Sequence, residues 1–142
     1  MPQKNILVVE DNPVHSRMIV TVLKSEGYNA ETVFTAKDAK ETIDRIVKGE
    51  KKFDLITLDL ILPAEKVGEE GVEVSEKYGY EIGRLLKENE VTKTIPIIGI
   101  TILGYKEKHK KKLQEIGVDH CIEKPFDVND LKDTVRLILE KS

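Results

Sequence analysis

The sequence predicts an α/β protein in which strands and helices alternate and the strands form one parallel sheet. Short apolar runs recur along the chain, and most of them are followed by a charged or hydroxyl-bearing residue. Between these runs, apolar residues repeat at the spacing of one helix face. Such an alternation requires right-handed crossovers, so the strands are expected to be parallel. We therefore predict a single domain with a doubly wound sheet of five strands and five helices in 142 residues.

The predicted elements follow one another in a regular order. They are a strand at 5–9, a helix from Asn12-Pro13 to Gly27, a strand at 29–34, a helix from Thr35 to Val47, a strand at 54–58, an irregular segment, a helix at about 78–88, a strand at 95–100, a helix at about 106–116, a short strand before Lys124 and a helix at about 128–140.

Residues at the helix ends support these bounds. Pro13 is favoured in a first helical turn, and Thr35 is a suitable N-cap. Gly27, Gly49 and Gly117 end helices one, two and four, because glycine is common just after a helix. The residues expected to face the core are Val14, Met18, Ile19, Val22 and Leu23 in helix one and Ala36, Ala39, Ile43, Ile46 and Val47 in helix two.

The composition argues against several classes of protein. A net charge of -3 predicts no basic surface for nucleic acid. The longest apolar stretch, at about 95–103, is too short to span a membrane, and no secretory signal is apparent, so we expect a cytoplasmic protein. The single cysteine, Cys121, can form no internal disulfide and is expected to be a small buried residue.

Three acids, a hydroxyl and a lysine lie at the ends of the predicted strands: Glu10-Asp11, Asp59, Thr101 and Lys124. The carboxyl ends of parallel strands share one edge of a sheet, so these residues are expected to converge. Two carboxylates about 4 Å apart repel by about 4 kcal/mol at an effective dielectric constant of about 20. A hard divalent cation such as Mg²⁺ relieves that repulsion. The set therefore favours a metal-assisted aspartate that accepts phosphate.

At these residues the chain closely resembles the receiver domains of response regulators in two-component signalling, the chemotaxis-regulator-like branch of flavodoxin-like folds. The resemblance covers essentially the whole chain and depends on the segments 6–13, 58–63, 96–101 and 124–126. Each segment is weak alone, but their order and spacing are specific. The resemblance implies the strand order 2-1-3-4-5 and a cis bond between Lys124 and Pro125.

The resemblance also implies a role for each site residue. Asp59 would be the phosphoacceptor, Lys124 would bind the phosphoryl group, and Thr101 would be the switch hydroxyl. The ligands of Mg²⁺ or Mn²⁺ would be Glu10, Asp11, Asp59 and the backbone carbonyl of Ile61.

By the same resemblance, residues 1–142 would be a stand-alone receiver without an output domain and not an enzyme in the ordinary sense. A sensor histidine kinase or phosphotransfer protein would supply the phosphoryl group. A downstream protein would bind the face formed by helix four, strand five and helix five, and a homodimer is possible, whereas no nucleic acid or membrane is expected. The alternative is an interaction module that works without phosphorylation. A flavin- or phosphate-binding module is disfavoured, because the loop after strand one is acidic and lacks glycines.

Some positions depart from the family pattern. The apolar residues Ile61, Ile102 and Leu103 lead to the hypothesis that a phosphoryl group is lost slowly, although they can also be packing residues. Cys121 stands where receivers usually have an aromatic switch residue. His120 and Tyr105 lie nearby and are either substitutes for it or, as is more usual, surface polar residues. His15, in the first turn of helix one, is expected to be a solvated helix residue.

Two charged segments complete the predictions. Residues 64–78, after strand three, form an insertion longer than the usual loop of about 2–6 residues. It contains Glu65, Glu69, Glu70, Glu73 and Glu76, and it either serves a function beside the site or is passive. Helix four carries Lys106, Lys108, Lys110, Lys111 and Lys112, which form either a solvated face or a surface for an acidic partner.

Overall fold

The structure is a computed structural model that describes residues 3–64, 74–102, 109–118 and 120–140. The strands are β1 (Asn5–Val9), β2 (Asn29–Val33), β3 (Leu55–Asp59), β4 (Leu62–Pro63), β5 (Val74–Ser75), β6 (Ile97–Ile102) and β7 (His120–Lys124). The helices in these ranges are α1 (Pro13–Ser25), α2 (Ala36–Val47), α3 (Glu76–Glu88), α4 (Lys110–Glu115) and α5 (Val128–Glu140). Within the described ranges, no helix has the length and apolar character needed to cross a membrane.

The main sheet has the order β2-β1-β3-β6-β7, and each neighbouring pair is parallel. Since β4 and β5 form a separate pair, this is the predicted order 2-1-3-4-5 of five parallel strands. The predicted doubly wound, flavodoxin-like fold with five helices is therefore confirmed.

The bounds of several elements differ from the prediction. β6 begins after Pro96 because proline has no N–H to donate to the ladder. β3 includes Asp59, whose backbone pairs with β6. α3 begins at Glu76, earlier than predicted. The predicted start of helix four at 106 lies outside the described residues, and the described part of that helix begins at Lys110.

Two apolar clusters cover the two faces of the sheet, because successive strand residues point to opposite faces. Leu7, Ile56 and Leu58 pack with α2, α3 and α4 in the first cluster. Ile6 and Val8 pack with α1 and α5 in the second. The central strands β1 and β3 are therefore buried on both faces, and the acids that follow or end them lie at the carboxyl edge of the sheet.

The prediction that Val14, Met18 and Val47 face the core is wrong. Val14 is 70% exposed, and Met18 and Val47 are also exposed. The inward positions of α1 include the polar residue Ser16, whose Oγ donates a hydrogen bond to Thr32 Oγ1 at 2.9 Å. The buried face of α1 is therefore rotated by part of a turn from the face that the apolar pattern predicted.

The predicted helix ends are confirmed. Asn12 caps α1, and Thr35 Oγ1 accepts a hydrogen bond from the Asp38 backbone N–H at 3.1 Å at the start of α2. Gly27, Gly49 and Gly117 have φ values of 92°, 79° and 76°, the left-handed region that favours glycine. The bond between Lys124 and Pro125 is cis, as predicted.

The base of the predicted insertion is paired rather than irregular. β4 and β5 form a short antiparallel pair in which Leu62 lies opposite Ser75. The Ala64 carbonyl accepts a hydrogen bond from the Lys37 backbone N–H at 2.8 Å, which ties the base to α2. Residues 65–73, with Glu65, Glu69, Glu70 and Glu73, lie outside the described residues.

Replacing Thr57 with valine is expected to stabilise the protein. Thr57 is fully buried in β3, and among the described residues its Oγ1 is the buried side-chain atom without a hydrogen-bond partner. Because valine has nearly the same shape without the unpaired hydroxyl, Thr57→Val should raise the free energy of unfolding by about 1 kcal/mol in urea titrations.

Thr92→Val is the matched control. Thr92 is also buried, but its Oγ1 donates a 2.6 Å hydrogen bond to the Leu86 carbonyl, so this change should destabilise the protein. Equal destabilisation by both substitutions would contradict the expectation.

Candidate active site

Three carboxylates meet at the carboxyl edge of the sheet. Glu10 and Asp11 directly follow β1, and Asp59 ends β3, the strand beside β1. One carboxylate oxygen of each residue lies within 4.8 Å of the others. Glu10 is 1% exposed and Asp59 6%, while Asp11 is half-buried. The predicted convergence of these acids is therefore present.

Lys124 reaches the same cluster from the end of β7. Its Nζ lies 2.8 Å from Glu10 Oε1 and 3.1 Å from Asp59 Oδ2. β6 separates β7 from β3 in the sheet, so the long lysine side chain spans the end of that strand. In the described structure this ammonium group is the counter-charge of both buried carboxylates.

Backbone N–H groups orient two of the acids. The Asn12 N–H donates to Glu10 Oε2 at 3.1 Å, and the Ile61 N–H donates to Asp59 Oδ1 at 3.0 Å. Each is a local turn in which a side-chain oxygen accepts from the backbone two residues further on. For Ile61 only the backbone carbonyl was predicted to belong to the site, and the contact of its N–H was not predicted.

Thr101 lies at the same edge. It is buried in β6, one residue beyond Ile100, the residue that pairs with Asp59. Its predicted role as a switch hydroxyl remains a prediction. Cys121 is half-buried beside the first apolar cluster rather than fully buried. The side chain of Ile102, together with Leu103 and Tyr105, lies outside the described residues.

The electrostatics of the site reflect three crowded acids. Burial raises the pKa of Glu10 to about 8, and the neighbouring Asp59 adds to the rise, while Lys124 opposes it. Burial also raises the pKa of Asp11. For Lys124, burial by itself lowers the pKa, but Glu10 and Asp59 outweigh burial and raise it. The cluster therefore favours a bound proton or a further cation.

His15 belongs to the site, contrary to the expectation that it is solvated. It is half-buried in the first turn of α1, and its Nδ1 lies 3.1 Å from Lys124 Nζ. Its position shortly after the acidic pair was the available signal in the sequence. The contact itself joins α1 to the lysine at the end of β7, 109 residues away along the chain, and periodicity does not reveal it.

The donor set fits a hard divalent cation. Carboxylate oxygens are the ligands that Mg²⁺ prefers, and the three acids place theirs close together on two adjacent strand ends. Burial is the largest cause of the raised pKa of Glu10, and the neighbouring Asp59 adds to it while Lys124 opposes it, so a further cation beside these carboxylates would favour their charged forms. The residues that would hold such a metal ion are Glu10, Asp11 and Asp59.

A doubly wound sheet with an acidic edge and a lysine over it defines the class of this domain, and comparison with known proteins identifies its family. A family model described as "Response regulator receiver domain" matches residues 6–136. The chain belongs to this family of receiver domains of two-component systems.

Two relatives and one solved structure illustrate the similarity. The two-component response regulator ARR22 of Arabidopsis thaliana is 32% identical over 86% of this chain and 74% of its own length. The phosphate regulon transcriptional regulatory protein PhoB of Pseudomonas aeruginosa is 32% identical over 100% of this chain but only 54% of its own length. The chain thus spans about half of PhoB.

The structure resembles the receiver domain of sensor histidine kinase PA1611 from Pseudomonas aeruginosa PAO1. The TM-score is 0.76 with 24% identity, and the match covers 98% of this chain and 99% of that one. In that crystal structure a magnesium ion is coordinated in the active-site cleft. At this level of identity, the similarity establishes the common fold.

Proposed function

We propose that this receiver domain is a phosphorylation-controlled switch whose phosphoacceptor is Asp59. The observation that carries the proposal is the position of Lys124 Nζ, which lies between Asp59 and Glu10 beside the acidic cluster. An aspartate buried in this way has a fixed carboxylate, a neighbouring cation and access at the sheet edge. These are the requirements for an attacking carboxylate that must later hold a doubly charged group.

In the proposed reaction an Asp59 carboxylate oxygen attacks the phosphorus of a phosphohistidine. The new O–P bond forms as the P–N bond breaks, and the imidazole of the donor leaves with the electron pair. The Ile61 N–H holds Asp59 Oδ1, so the orientation of the carboxylate is fixed before attack. Lys124, already 3.1 Å from Oδ2, donates to a phosphoryl oxygen and balances its charge.

Mg²⁺, or Mn²⁺, is proposed as the cofactor and would be held by Glu10, Asp11, Asp59 and the Ile61 carbonyl. When bound, the ion supplies positive charge for the phosphoryl oxygens. The protein's own part is to present buried carboxylates at fixed positions and to exclude bulk water from Asp59, which is 6% exposed. Such a domain turns over only its own aspartyl phosphate and is not otherwise an enzyme.

The proposed phosphodonor is a sensor histidine kinase or a phosphotransfer protein in the cytoplasm. Relatives of this chain include response regulators, and a structural neighbour is the receiver domain of a sensor histidine kinase. The phosphorylated state would be recognised by another protein, with the surface of α4, β7 and α5 as the proposed output face. In α4 that surface presents Lys110 and Lys111 to solvent.

The test is the intact mass of the protein after incubation with Mg²⁺ and acetyl phosphate. Wild type should gain one phosphate, and Asp59→Asn should gain none. Asp54→Asn is the matched control, because Asp54 lies before the opposite end of β3 and accepts a 2.8 Å hydrogen bond from the Asn5 N–H. The control should therefore gain the phosphate.

If neither acetyl phosphate nor a phosphorylated histidine kinase yields an adduct, the switch proposal is wrong and a phosphorylation-independent interaction module becomes the better interpretation. The decay of the adduct also tests whether the phosphoryl group is lost slowly. Of the residues invoked for that hypothesis, Ile61 is half-buried in the structure.

A further inference from the structure

A histidine on α1 uses the third N–H donor of the site lysine. A lysine ammonium group carries three N–H donors and no acceptor. The Nζ of Lys124 lies 2.8 Å from Glu10 Oε1, 3.1 Å from Asp59 Oδ2 and 3.1 Å from His15 Nδ1. Three acceptors on three separate elements therefore surround one ammonium group.

Because the donor in this contact is a lysine, it determines which nitrogen of the imidazole carries the hydrogen. Because Lys124 has no lone pair, His15 Nδ1 must be the acceptor. The ring is then neutral and carries its hydrogen on Nε2. His15 thus differs from the other two partners, because it binds the ammonium group without contributing negative charge.

The backbone of His15 is hydrogen-bonded to the cap of α1, next to the acidic loop. Asn12 Oδ1 accepts hydrogen bonds from the backbone N–H of Val14 at 2.9 Å and of His15 at 3.1 Å. The Asn12 N–H in turn donates to Glu10 Oε2 at 3.1 Å. The cap of α1 therefore connects the backbone of His15 to the loop that carries the acids, and the imidazole extends from this position to Lys124.

This geometry matters when Asp59 becomes phosphorylated. Lys124 must then direct a donor toward a phosphoryl oxygen, while the nearly inaccessible Glu10 carboxylate attracts it away. The neutral Nδ1 of His15, on the α1 side, counteracts the attraction of Lys124 by Glu10. Because it carries no negative charge, it does not compete electrostatically with the phosphoryl group for the ammonium group. We propose that His15 is a positioning residue that holds the Lys124 ammonium group over Asp59 and thereby accelerates phosphoryl transfer.

This inference rests on the proposed function, and its test compares two substitutions of His15. His15→Leu removes the acceptor at similar size, whereas His15→Asn places an amide oxygen near the position of Nδ1. In acetyl phosphate titrations followed by intact mass, His15→Leu should lower the maximal rate of adduct formation about 10-fold, the scale of one hydrogen bond to a charged group. His15→Asn should recover most of that loss.

Met18→Leu, an exposed change on the same helix, is the control and should keep the wild-type rate. A merely structural role would lower the melting temperature of both His15 variants and would not be rescued by asparagine. A wild-type rate in His15→Leu, or equal rates in the two His15 variants, would overturn the inference.

Long-range ¹H–¹⁵N NMR of the imidazole provides a readout that needs no phosphorylation. His15 should be the Nε2–H tautomer, and Lys124→Met should shift its Nδ1 resonance. A proton on Nδ1 would refute the contact. If wild type forms no adduct while NMR shows the contact, the proposed function fails and the positioning contact stands. If wild type forms the adduct and His15→Leu matches it, only the inference about His15 fails.

Discussion

Mg²⁺ is expected to stabilise this protein much more at pH 8 than at pH 5. Burial and the neighbouring Asp59 raise the pKa of Glu10 from 4.5 to about 8 in the folded protein, so between these values the native state keeps a proton that the unfolded chain has lost. The free energy of unfolding without metal must therefore fall as the pH rises through this range, by roughly 3 kcal/mol. The raised pKa of Asp11 acts in the same direction.

A bound divalent cation would replace that proton, and metal binding requires deprotonated carboxylates. Urea titrations at several pH values, with Mg²⁺ or with EDTA, would measure both effects. In Glu10→Gln the decline with pH should become much smaller, and Mg²⁺ should stabilise the variant less at pH 8. A metal-free stability that stays constant between pH 5 and 8, or an equal effect of Mg²⁺ at both ends, would show that the acids are not crowded as described.

Gly79→Ala is expected to destabilise the protein by about 2–3 kcal/mol, which is the upper part of the usual range for overpacking in a tightly packed interior. Gly79 is buried in α3, and a Cβ atom there would lie 2.2 Å from the Leu60 carbonyl oxygen and 2.6 Å from Leu60 Cα. Backbone atoms cannot move aside as a side chain can. Since Leu60 directly follows Asp59, the displacement should also slow phosphorylation.

Gly83→Ala, one turn later on α3, is a matched control. There the nearest atoms to the added Cβ are side-chain atoms of Ile116, with Cδ1 at 2.8 Å and Cβ at 3.1 Å, and a side chain gives way more easily than the backbone of Leu60. The helix propensity gained is the same in both variants. Thermal and urea unfolding should show a clearly larger loss for Gly79→Ala. If both variants unfold alike, α3 does not pack against the backbone of Leu60 as closely as the structure indicates.

Sequence reasoning predicted the acidic cluster and Lys124 because one rule of parallel sheets determines where they meet. The strands at 5–9 and 54–58 were identifiable as apolar runs, and the residues after them had to share an edge. The same reasoning could not assign His15 to the site. Its contact with Lys124 joins α1 to the end of β7, and the two residues lie 109 positions apart in the sequence.

Local patterns also misplaced side chains wherever polar residues occupy buried positions. In α1, Ser16 is buried against Thr32, whereas Val14 is exposed. Apolar spacing alone therefore predicted the wrong boundary for the buried face of this helix. The pairing of β4 with β5 was missed for a related reason. Each strand is only two residues long, which is too short for a recognisable strand pattern. The segment between them was identified in the sequence only as a long loop.

The sequence by itself determined the alternation of elements, the helix caps and the residues at the functional edge, whereas the strand order was implied by the resemblance to receiver domains. Those features depend on local propensity, on periodicity and on the handedness of crossovers, all of which are properties of neighbouring residues. Only the tertiary structure decided the three-way contact of Lys124, the close approach of Gly79 to Leu60 and the unpaired hydroxyl of Thr57. These depend on distances between elements that are remote in sequence, and packing alone sets such distances.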